Sequence, residues 1–298
     1  MPLSVNNFCK SGYGDRMLDL FALSILTKVE NTTSKIKWIP FEGVNDYSLI
    51  PSWRFLDTHI ANFNSFFRLP SYIELVSNDT HEEKRFNDYL GGVISPALFY
   101  DRYLKNVISS ESYTEIVNTV KKDFGIKIDD YVHNKPYITV HLRRTDKLRG
   151  VCVTQINLSS DDTLDNLDKK TLESIQIAKE KGYTDFYLAS DSPETKSIYT
   201  NKLNEMGLTV IQPPNKYNLI ESYYDTWMMK SSSLIIVSTK YSTYSLFNAL
   251  IFNVPLHNVL GHALYDEFRF NEHMNIIRDL ATAPSATRLP PDAPKLEP

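Results

Sequence analysis

The sequence predicts an α/β protein built on parallel sheets, and three observations support that prediction. Between Tyr137 and Asn253, short apolar runs typical of strands alternate with segments of helical spacing. The runs are continuously apolar, as expected of parallel strands that helices cover on both faces. An amphipathic helix and a strand near the start of the chain predict a second α/β unit of similar size.

The elements of the second half follow from apolar spacing, helix caps and glycines. Ser192 is a candidate N-cap for a helix that begins at Pro193, and Gly182 and Gly207 each follow the end of a helical pattern. The spacing predicts strands at 137–142, 185–189, 208–211 and 234–237, and helices at 172–181, 193–206, 223–230 and 244–252.

The first half is less regular. The pattern predicts helices at 15–29, 96–107 and 111–124 and a strand at 36–39, whereas 51–85 mixes aromatic and polar residues without a clear period. The segment 129–136 is the predicted boundary, which gives an N-terminal domain over 1–134 and a C-terminal domain over 135–280. Residues 281–298 hold five of the 15 prolines and predict a disordered tail.

Composition excludes several classes of protein. Of the 298 residues 42% are hydrophobic and 23% charged, which is typical of a globular chain with a sizeable core. The net charge is 32 − 36 = −4, which disfavours a general nucleic-acid binder. Two cysteines, Cys9 and Cys152, are too few for a disulfide scaffold or a multi-cysteine zinc module. The sequence has no apolar run long enough for a transmembrane helix and no signal-peptide pattern, so a cytoplasmic protein is expected.

The most informative segment is His141-Leu-Arg-Arg-Thr-Asp-Lys147, which begins inside the predicted strand at 137–142. Arginines at the carboxyl end of a strand would lie at the mouth of a cleft, where their planar donors match phosphate oxygens. Asp146 would orient one arginine or accept a hydroxyl group. Alternatively, the arginines and Asp146 form a structural salt-bridge cluster, and the pattern alone leaves both interpretations open.

This segment resembles the His-x-Arg-Arg-x-Asp motif of GDP-fucose-dependent fucosyltransferases, most closely the α1,6 type and more loosely the α1,2 type. Three further segments resemble that family in the same order along roughly residues 8–255. They are the glycine loop Gly12–Met17, the strand and turn Tyr187–Pro193, and the helix Asp225–Met229 followed by Leu234–Ser245.

The resemblance implies a GT-B-like fold, with two Rossmann-type domains that face a cleft. The C-terminal domain would hold the GDP-sugar and the N-terminal domain the acceptor. By position, Arg143 would bind the donor pyrophosphate, His141 would lie near the guanosine, and Asp225 would accept hydrogen bonds from the guanine edge. Ser242 or Thr243 would donate to a phosphate oxygen.

The remaining matched positions have less defined roles. Asp191 corresponds to the aspartate of the second motif, and Arg144 would brace the site from behind. Gly12 and Gly14 either present backbone N–H groups to the sugar or phosphates, with Arg16 assisting, or simply form a tight turn before a helix.

The implied reaction is an inverting transfer of L-fucose from GDP-L-fucose to a glycan acceptor, with no metal and no other cofactor. The sequence has no Asp-x-Asp pattern, which is typical of metal-dependent transferases, and no His-Glu-x-x-His pattern, which is typical of zinc hydrolases. Arg143 and Asp146 are the predicted catalytic residues. The α1,6 enzymes have a glutamate base shortly after the motif, but 148–154 contains no carboxylate. Asp146, Asp161 and Asp162 are the alternative bases, or a dissociative mechanism needs none.

Other interpretations stay open. The donor could be another GDP-sugar such as GDP-rhamnose, or the chain could bind a nucleotide-sugar without turning it over. A third alternative is a structural protein in which Arg143 and Asp146 form only a salt bridge.

A group of aromatic residues in the first half either stacks on the acceptor or, as we favour, packs in the core. Its members are Trp38, Trp53, Phe66, Phe67 and Tyr72.

Overall fold

A computed structural model describes residues 3–5, 13–38, 56–57, 59–76, 104–144, 164–239 and 242–260. The strands of these residues form two parallel sheets and one short antiparallel pair. The predicted α/β class is therefore confirmed.

The first half contains a three-stranded parallel sheet in the order β1-β2-β4 and the antiparallel pair of β3 and β5. Helix α1 is buried on all sides from Arg16 to Thr27 and packs against α3 and the last helix of the chain, α7. The elements are β1 (Leu3–Val5), α1 (Tyr13–Val29), β2 (Ser34–Lys37), α2 (Ile60–Phe66), β3 (Phe67–Arg68), β4 (Ile73–Val76), α3 (Ser110–Asp123) and β5 (Gly125–Ile126).

The second half contains a five-stranded sheet in the order β10-β9-β6-β7-β8, with every neighbouring pair parallel. Its elements are β6 (Tyr137–Leu142), α4 (Leu164–Glu180), β7 (Asp185–Ser190), α5 (Pro193–Glu205), β8 (Thr209–Val210), α6 (Glu221–Lys230), β9 (Leu234–Ser238), α7 (Thr243–Phe252) and β10 (Leu256–Asn258).

Most predicted elements of the second half are confirmed within two residues, including the N-cap at Ser192. Helix α4 begins at Leu164, eight residues before its predicted start. The prediction missed its first two turns because they are mostly polar and show no apolar period. The predicted helix at 96–107 is described only from residue 104, where the chain makes a turn, and its other residues lie outside the described ranges. The predicted tail, 281–298, also lies outside them.

The two faces of the five-stranded sheet bury different sets of side chains. Ile138, Val140 and Leu142 point to the face covered by α4 and α5, where they join an apolar cluster with Ile175. Tyr137 and the alternate residues of β6 point to the face covered by α6 and α7. Even-numbered and odd-numbered residues of β6 therefore enter different layers of the protein.

One apolar cluster joins the first half to the α6–α7 face of the second. The rings of Phe66 and Tyr223 stack with centroids 4.5 Å apart, and the Tyr223 hydroxyl donates to the Asp57 carbonyl at 2.6 Å. The predicted boundary lies in residues 127–136, which form no helix or strand between β5 and β6. The domain limits at 134/135 and 280/281 stay predictions.

Candidate functional site

The strand order of the five-stranded sheet marks one edge as suited to a ligand. β6 lies in the centre; the chain winds outward to β7 and β8, then returns to add β9 and β10 on the other side. In such sheets ligands bind beyond the carboxyl ends of the strands where the winding reverses, here between β6 and β9. Leu142 pairs with Ser190 and with Ser238, so β6, β7 and β9 end at one level. Arg143 and Asp191 follow directly at this edge.

His141, the fifth residue of β6, contacts α7. Its Nδ1 lies 2.5 Å from the Ser245 hydroxyl, and its ring centroid lies 5.3 Å from that of Tyr244. The Tyr244 hydroxyl in turn donates to the Ser222 carbonyl at 2.6 Å and lies 3.2 Å from the Thr226 hydroxyl, both on α6. These contacts fix α6 and α7 over the carboxyl-terminal part of β6.

Asp225 projects from α6 toward β7 and is 4% exposed. One carboxylate oxygen accepts the hydroxyl of Tyr187 at 2.5 Å. Burial raises the pKa of Asp225 to about 7, opposed by Lys196 and the Tyr187 hydroxyl and reinforced by Glu221 and Asp191. Burial, with the Asp225 carboxylate, also raises the pKa of Tyr187, which therefore stays a donor. Asp225 is thus a buried acceptor whose charge changes near neutral pH.

Arg144 enters the opposite face from His141. Its guanidinium donates to the Ser238 carbonyl, to the Ser238 hydroxyl at 2.7 Å and to Asp168 on α4 at 2.8 Å. Its backbone N–H donates to Asp191 Oδ1 at 2.7 Å. Arg144 is 6% exposed, whereas Arg143 is only partly buried. The two adjacent arginines therefore have different surroundings.

The first turn of α7 lies beside the first turn of α1. Ser242 caps α7, accepting the N–H of Ser245 at 3.4 Å, and Ser242 and Thr243 are both buried. A Cβ atom on Gly14 would come within 2.6 Å of the Tyr244 backbone nitrogen. Glycine is thus required at position 14 because two helix N-termini meet there. Such N-termini together offer backbone N–H groups and partial positive charge.

Arg16 lies deeper in the molecule than its neighbours at the start of α1. It is 0% exposed, and its guanidinium carbon lies 5.0 Å from the centroid of the Trp38 ring. Burial and the nearby Asp15 raise the pKa of Asp19 to about 8, while Arg16 lowers it. The described contacts of Arg16 therefore lie within the core around α1.

The proposed aromatic platform is mostly core. Trp38, Phe66 and Phe67 are at most 2% exposed, so for these rings the favoured core interpretation is confirmed. Tyr72 is partly buried, and its hydroxyl donates to Asp123 at 3.3 Å. Trp53 lies outside the described residues.

The structure brings most of the described site residues together around the ends of β6, β7 and β9. Arg16 lies against the Trp38 ring, and its assistance to the glycine loop stays a prediction. The group that meets comprises Gly14, His141, Arg143, Arg144, Asp191, Asp225, Ser242 and Thr243. Several predicted residues lie outside the described ranges: Cys9, Gly12, Asp146, Cys152, Asp161, Asp162 and the stretch 148–154.

Sequence reasoning missed several polar residues of this region. Tyr187 and Ser245 bond to Asp225 and His141, and Asp168 bonds to Arg144. The only sequence signal for Tyr187 is a phenol inside a buried strand, where a hydroxyl needs a partner. Ser245 lies three residues after a helix cap, and Asp168 follows Asp165 on a polar helix, so neither position is distinctive.

The described residues contain neither a membrane-spanning helix nor a cluster of metal ligands. None of their helices is long and apolar enough to cross a membrane. Nor do they place three or more His, Cys, Asp or Glu side chains where a metal ion could be held.

Comparison with known proteins finds similar structures but no sequence relatives. The sequence matches no protein-family model and no curated protein. The chain is similar to the NodZ α1,6-fucosyltransferase soaked with GDP-fucose, at a TM-score of 0.49 and 12% identity over 86% of this chain and 94% of that one. NodZ from Bradyrhizobium gives 0.47 and 12% over 86% and 95%. POFUT1 in its apo form gives 0.49 and 13% over 86% and 97%.

Proposed function

We propose that this chain is an inverting, metal-independent glycosyltransferase of GT-B type that transfers L-fucose from GDP-L-fucose to a glycan. The observation that carries the proposal is the position of the His141–Lys147 motif. Its described residues, 141–144, lie where a Rossmann-ordered sheet reverses its winding, beside the capped N-terminus of α7. That is the place where such sheets hold nucleotides.

In the proposed reaction the acceptor oxygen attacks the anomeric carbon from the face opposite GDP. The bond between that carbon and the phosphate oxygen breaks, and negative charge grows on GDP as it leaves. Arg143 and the donors at the start of α7, Ser242 or Thr243, would stabilise this charge. Because these groups are fixed before the reaction, they would lower the barrier without reorganising.

Asp225 is proposed to select guanine. Guanine presents two neighbouring N–H donors, whereas uracil and adenine present other patterns on the corresponding edge. One Asp225 oxygen accepts the Tyr187 hydroxyl, which fixes the carboxylate and leaves its second oxygen for a ligand. His141, held by Ser245, would contact the guanosine from the neighbouring strand.

The reaction also needs a base that takes the proton of the acceptor hydroxyl. Among the matched residues, Asp146 is the carboxylate nearest in sequence to Arg143, and we assign it as the proposed base. The acceptor would approach from the side of residues 1–134, which places the glycan across the sheet edge from GDP.

Calorimetric titration with GDP, with UDP and ADP as controls, tests the proposal on the wild-type chain and on Arg143→Ala. We expect GDP alone to bind, and the substitution to weaken it by about 1.5–3 kcal/mol, the contribution of a hydrogen bond to a charged group. Equal binding of all three nucleotides would contradict the proposal.

Two alternative functions would use the same nucleotide site. Another GDP-sugar, such as GDP-rhamnose, would be turned over in place of GDP-fucose. The second alternative is a non-catalytic nucleotide-sugar-binding protein, and its main support is the absence of a carboxylate in 148–154. Release of GDP from each donor, measured with and without an acceptor glycan, distinguishes them.

A further inference from the structure

Arg144 ties together the strand ends that surround the candidate site. It joins β9 through the carbonyl and hydroxyl of Ser238 and α4 through Asp168, and its backbone N–H joins the Asp191 carboxylate after β7. The Ser238 hydroxyl also lies 2.6 Å from the Thr171 hydroxyl on α4. Because these groups belong to three strand ends and one helix, Arg144 fixes their relative positions.

Asp168 is held in turn from a second helix. The Tyr199 hydroxyl on α5 donates to the same Asp168 oxygen that receives Arg144, at 2.6 Å. Burial and the Asp168 carboxylate raise the pKa of Tyr199, so its hydroxyl stays protonated. The Lys202 ammonium is 3.9 Å from the other Asp168 oxygen and its side chain is 36% exposed, so this ion pair adds little. Asp168 thus has one orientation, set by α5, in which to meet Arg144.

The side chains that hold the Arg144 guanidinium from α4 and α5 lie on the other face of the sheet from His141. Asp168, Thr171 and Tyr199 lie on the α4–α5 face, whereas His141 faces α6 and α7. Side chains alternate between the two faces along β6, so Arg143 lies on the same side as His141. The network reaches Arg143 through the peptide bond to Arg144 and through the Arg144 guanidinium, whose Nη1 lies 3.5 Å from the Arg143 carbonyl oxygen.

We propose that Asp168 and Tyr199 are positioning residues for Arg143: by clamping Arg144 they fix the chain after β6, so that Arg143 meets the nucleotide in one orientation. The inference rests on the proposed function, because it assumes that Arg143 binds the pyrophosphate. Arg144 is buried, and its ion pair with the partly buried Asp168 serves here to fix geometry rather than to add net stability. Small displacements of a charged donor are costly at a reacting group.

The experiment is a double-mutant cycle read out by calorimetric GDP affinity. Asp168→Asn keeps the shape of the side chain and removes its charge, and Tyr199→Phe removes one hydroxyl. Tyr183→Phe is the matched control, because Tyr183 packs on the same face and its hydroxyl forms no hydrogen bond with the described residues. Each variant is made in the wild-type chain and in Arg143→Ala, and thermal unfolding is recorded for all.

We expect Asp168→Asn to weaken GDP binding about tenfold and Tyr199→Phe about threefold in the wild-type chain, with Tyr183→Phe unchanged. In Arg143→Ala both effects should vanish, since the residue through which they act is gone. A general loss of packing would give the same effect in both backgrounds, and that result overturns the proposal.

Two other outcomes separate this inference from the proposed function. If the wild-type chain binds GDP and Asp168→Asn and Tyr199→Phe bind it equally well, the positioning role fails and the nucleotide site stands. If the wild-type chain does not bind GDP, the proposed function fails, and the positioning role fails with it. Should Asp168→Asn not fold, Tyr199→Phe decides the test alone.

Discussion

The two faces of the five-stranded sheet treat their buried polar groups differently. On the α4–α5 face Arg144, Asp168 and Ser238 satisfy one another. On the α6–α7 face the hydroxyls of Thr139 and Ser222 are buried without a hydrogen bond in the described part of the chain. A saturated network stabilises one arrangement, whereas unsatisfied buried groups cost free energy and are expected mainly where function requires them. The first face therefore has the properties of a scaffold, and the unsatisfied hydroxyls lie on the face where we propose the site.

The largest expected contrast is between the two adjacent arginines. Arg144→Ala should lower the free energy of unfolding by about 3 kcal/mol, because it removes the buried cation that bonds to Asp168 and to the Ser238 carbonyl. Arg143→Ala should change stability by less than about 0.5 kcal/mol and lower the transfer rate about 10²–10³-fold. Denaturant unfolding and a GDP-release assay measure the two effects. Equal losses of stability would remove the distinction between scaffold and site.

Asp225 should make nucleotide binding depend on pH. Because its pKa is raised to about 7, its ionised fraction, and with it GDP affinity, should fall about tenfold per pH unit below 7 and level off above. The stability of the fold should depend on pH in the opposite direction. Between the usual aspartate pKa of 3.8 and about 7, the native state holds the proton more tightly than the unfolded chain, so this contribution to stability is lost as the pH rises.

Asp225→Asn separates these effects. The variant should bind GDP about 10–100-fold more weakly than the wild type at pH 8, because the charge-assisted hydrogen bonds are lost, and this difference should shrink as the pH falls to 5.5. Calorimetry across that range gives both values. A wild-type affinity that is flat across pH 7 would exclude Asp225 as the guanine acceptor.

Gly14→Ala should separate the starts of α1 and α7. The new methyl group would lie 2.6 Å from the Tyr244 nitrogen, and a backbone atom cannot move aside as a side chain can. Overpacking of this kind costs about 1–3 kcal/mol. Thermal unfolding measures the loss, with Thr119→Ala on the exposed side of α3 as the control. An unchanged melting temperature would show that the two helices do not meet as described.

The smallest expected effects come from single hydroxyls on the two faces. Thr171→Val and Ser245→Ala should each cost about 1 kcal/mol of stability, the usual contribution of one hydrogen bond. Only Ser245→Ala should also change GDP affinity, because it releases His141. Parallel unfolding and calorimetry on both variants test this, and an equal change in affinity would contradict the assignment of the faces.

Much of the second half could be predicted because its strands are continuous apolar runs. β6, β7 and β9 were each found within one residue. β10 was missed because its three residues, Leu256–Asn258, include two polar ones and give no period. The start of α4 was missed for a similar reason, since Asp165–Lys170 is mostly polar.

The site was only partly predictable. The arginines follow a strand, and strand ends meet at one edge, so the position of Arg143 followed from local sequence. The partners did not: His141 and Ser245 are 104 residues apart, and Tyr187 and Asp225 are 38 apart. Such pairs depend on which helix covers which face, and that is decided by tertiary packing rather than by spacing.

The contact between α1 and α7 has a consequence for how the chain is synthesised. α1 emerges from the ribosome early, yet α7, one of the helices that bury it, ends only at Phe252. A nascent chain that stops at residue 134 would leave apolar surface of α1 uncovered. We expect such truncated chains to aggregate or to recruit chaperones, and to become protease-resistant only when residues 135–260 are supplied by co-expression.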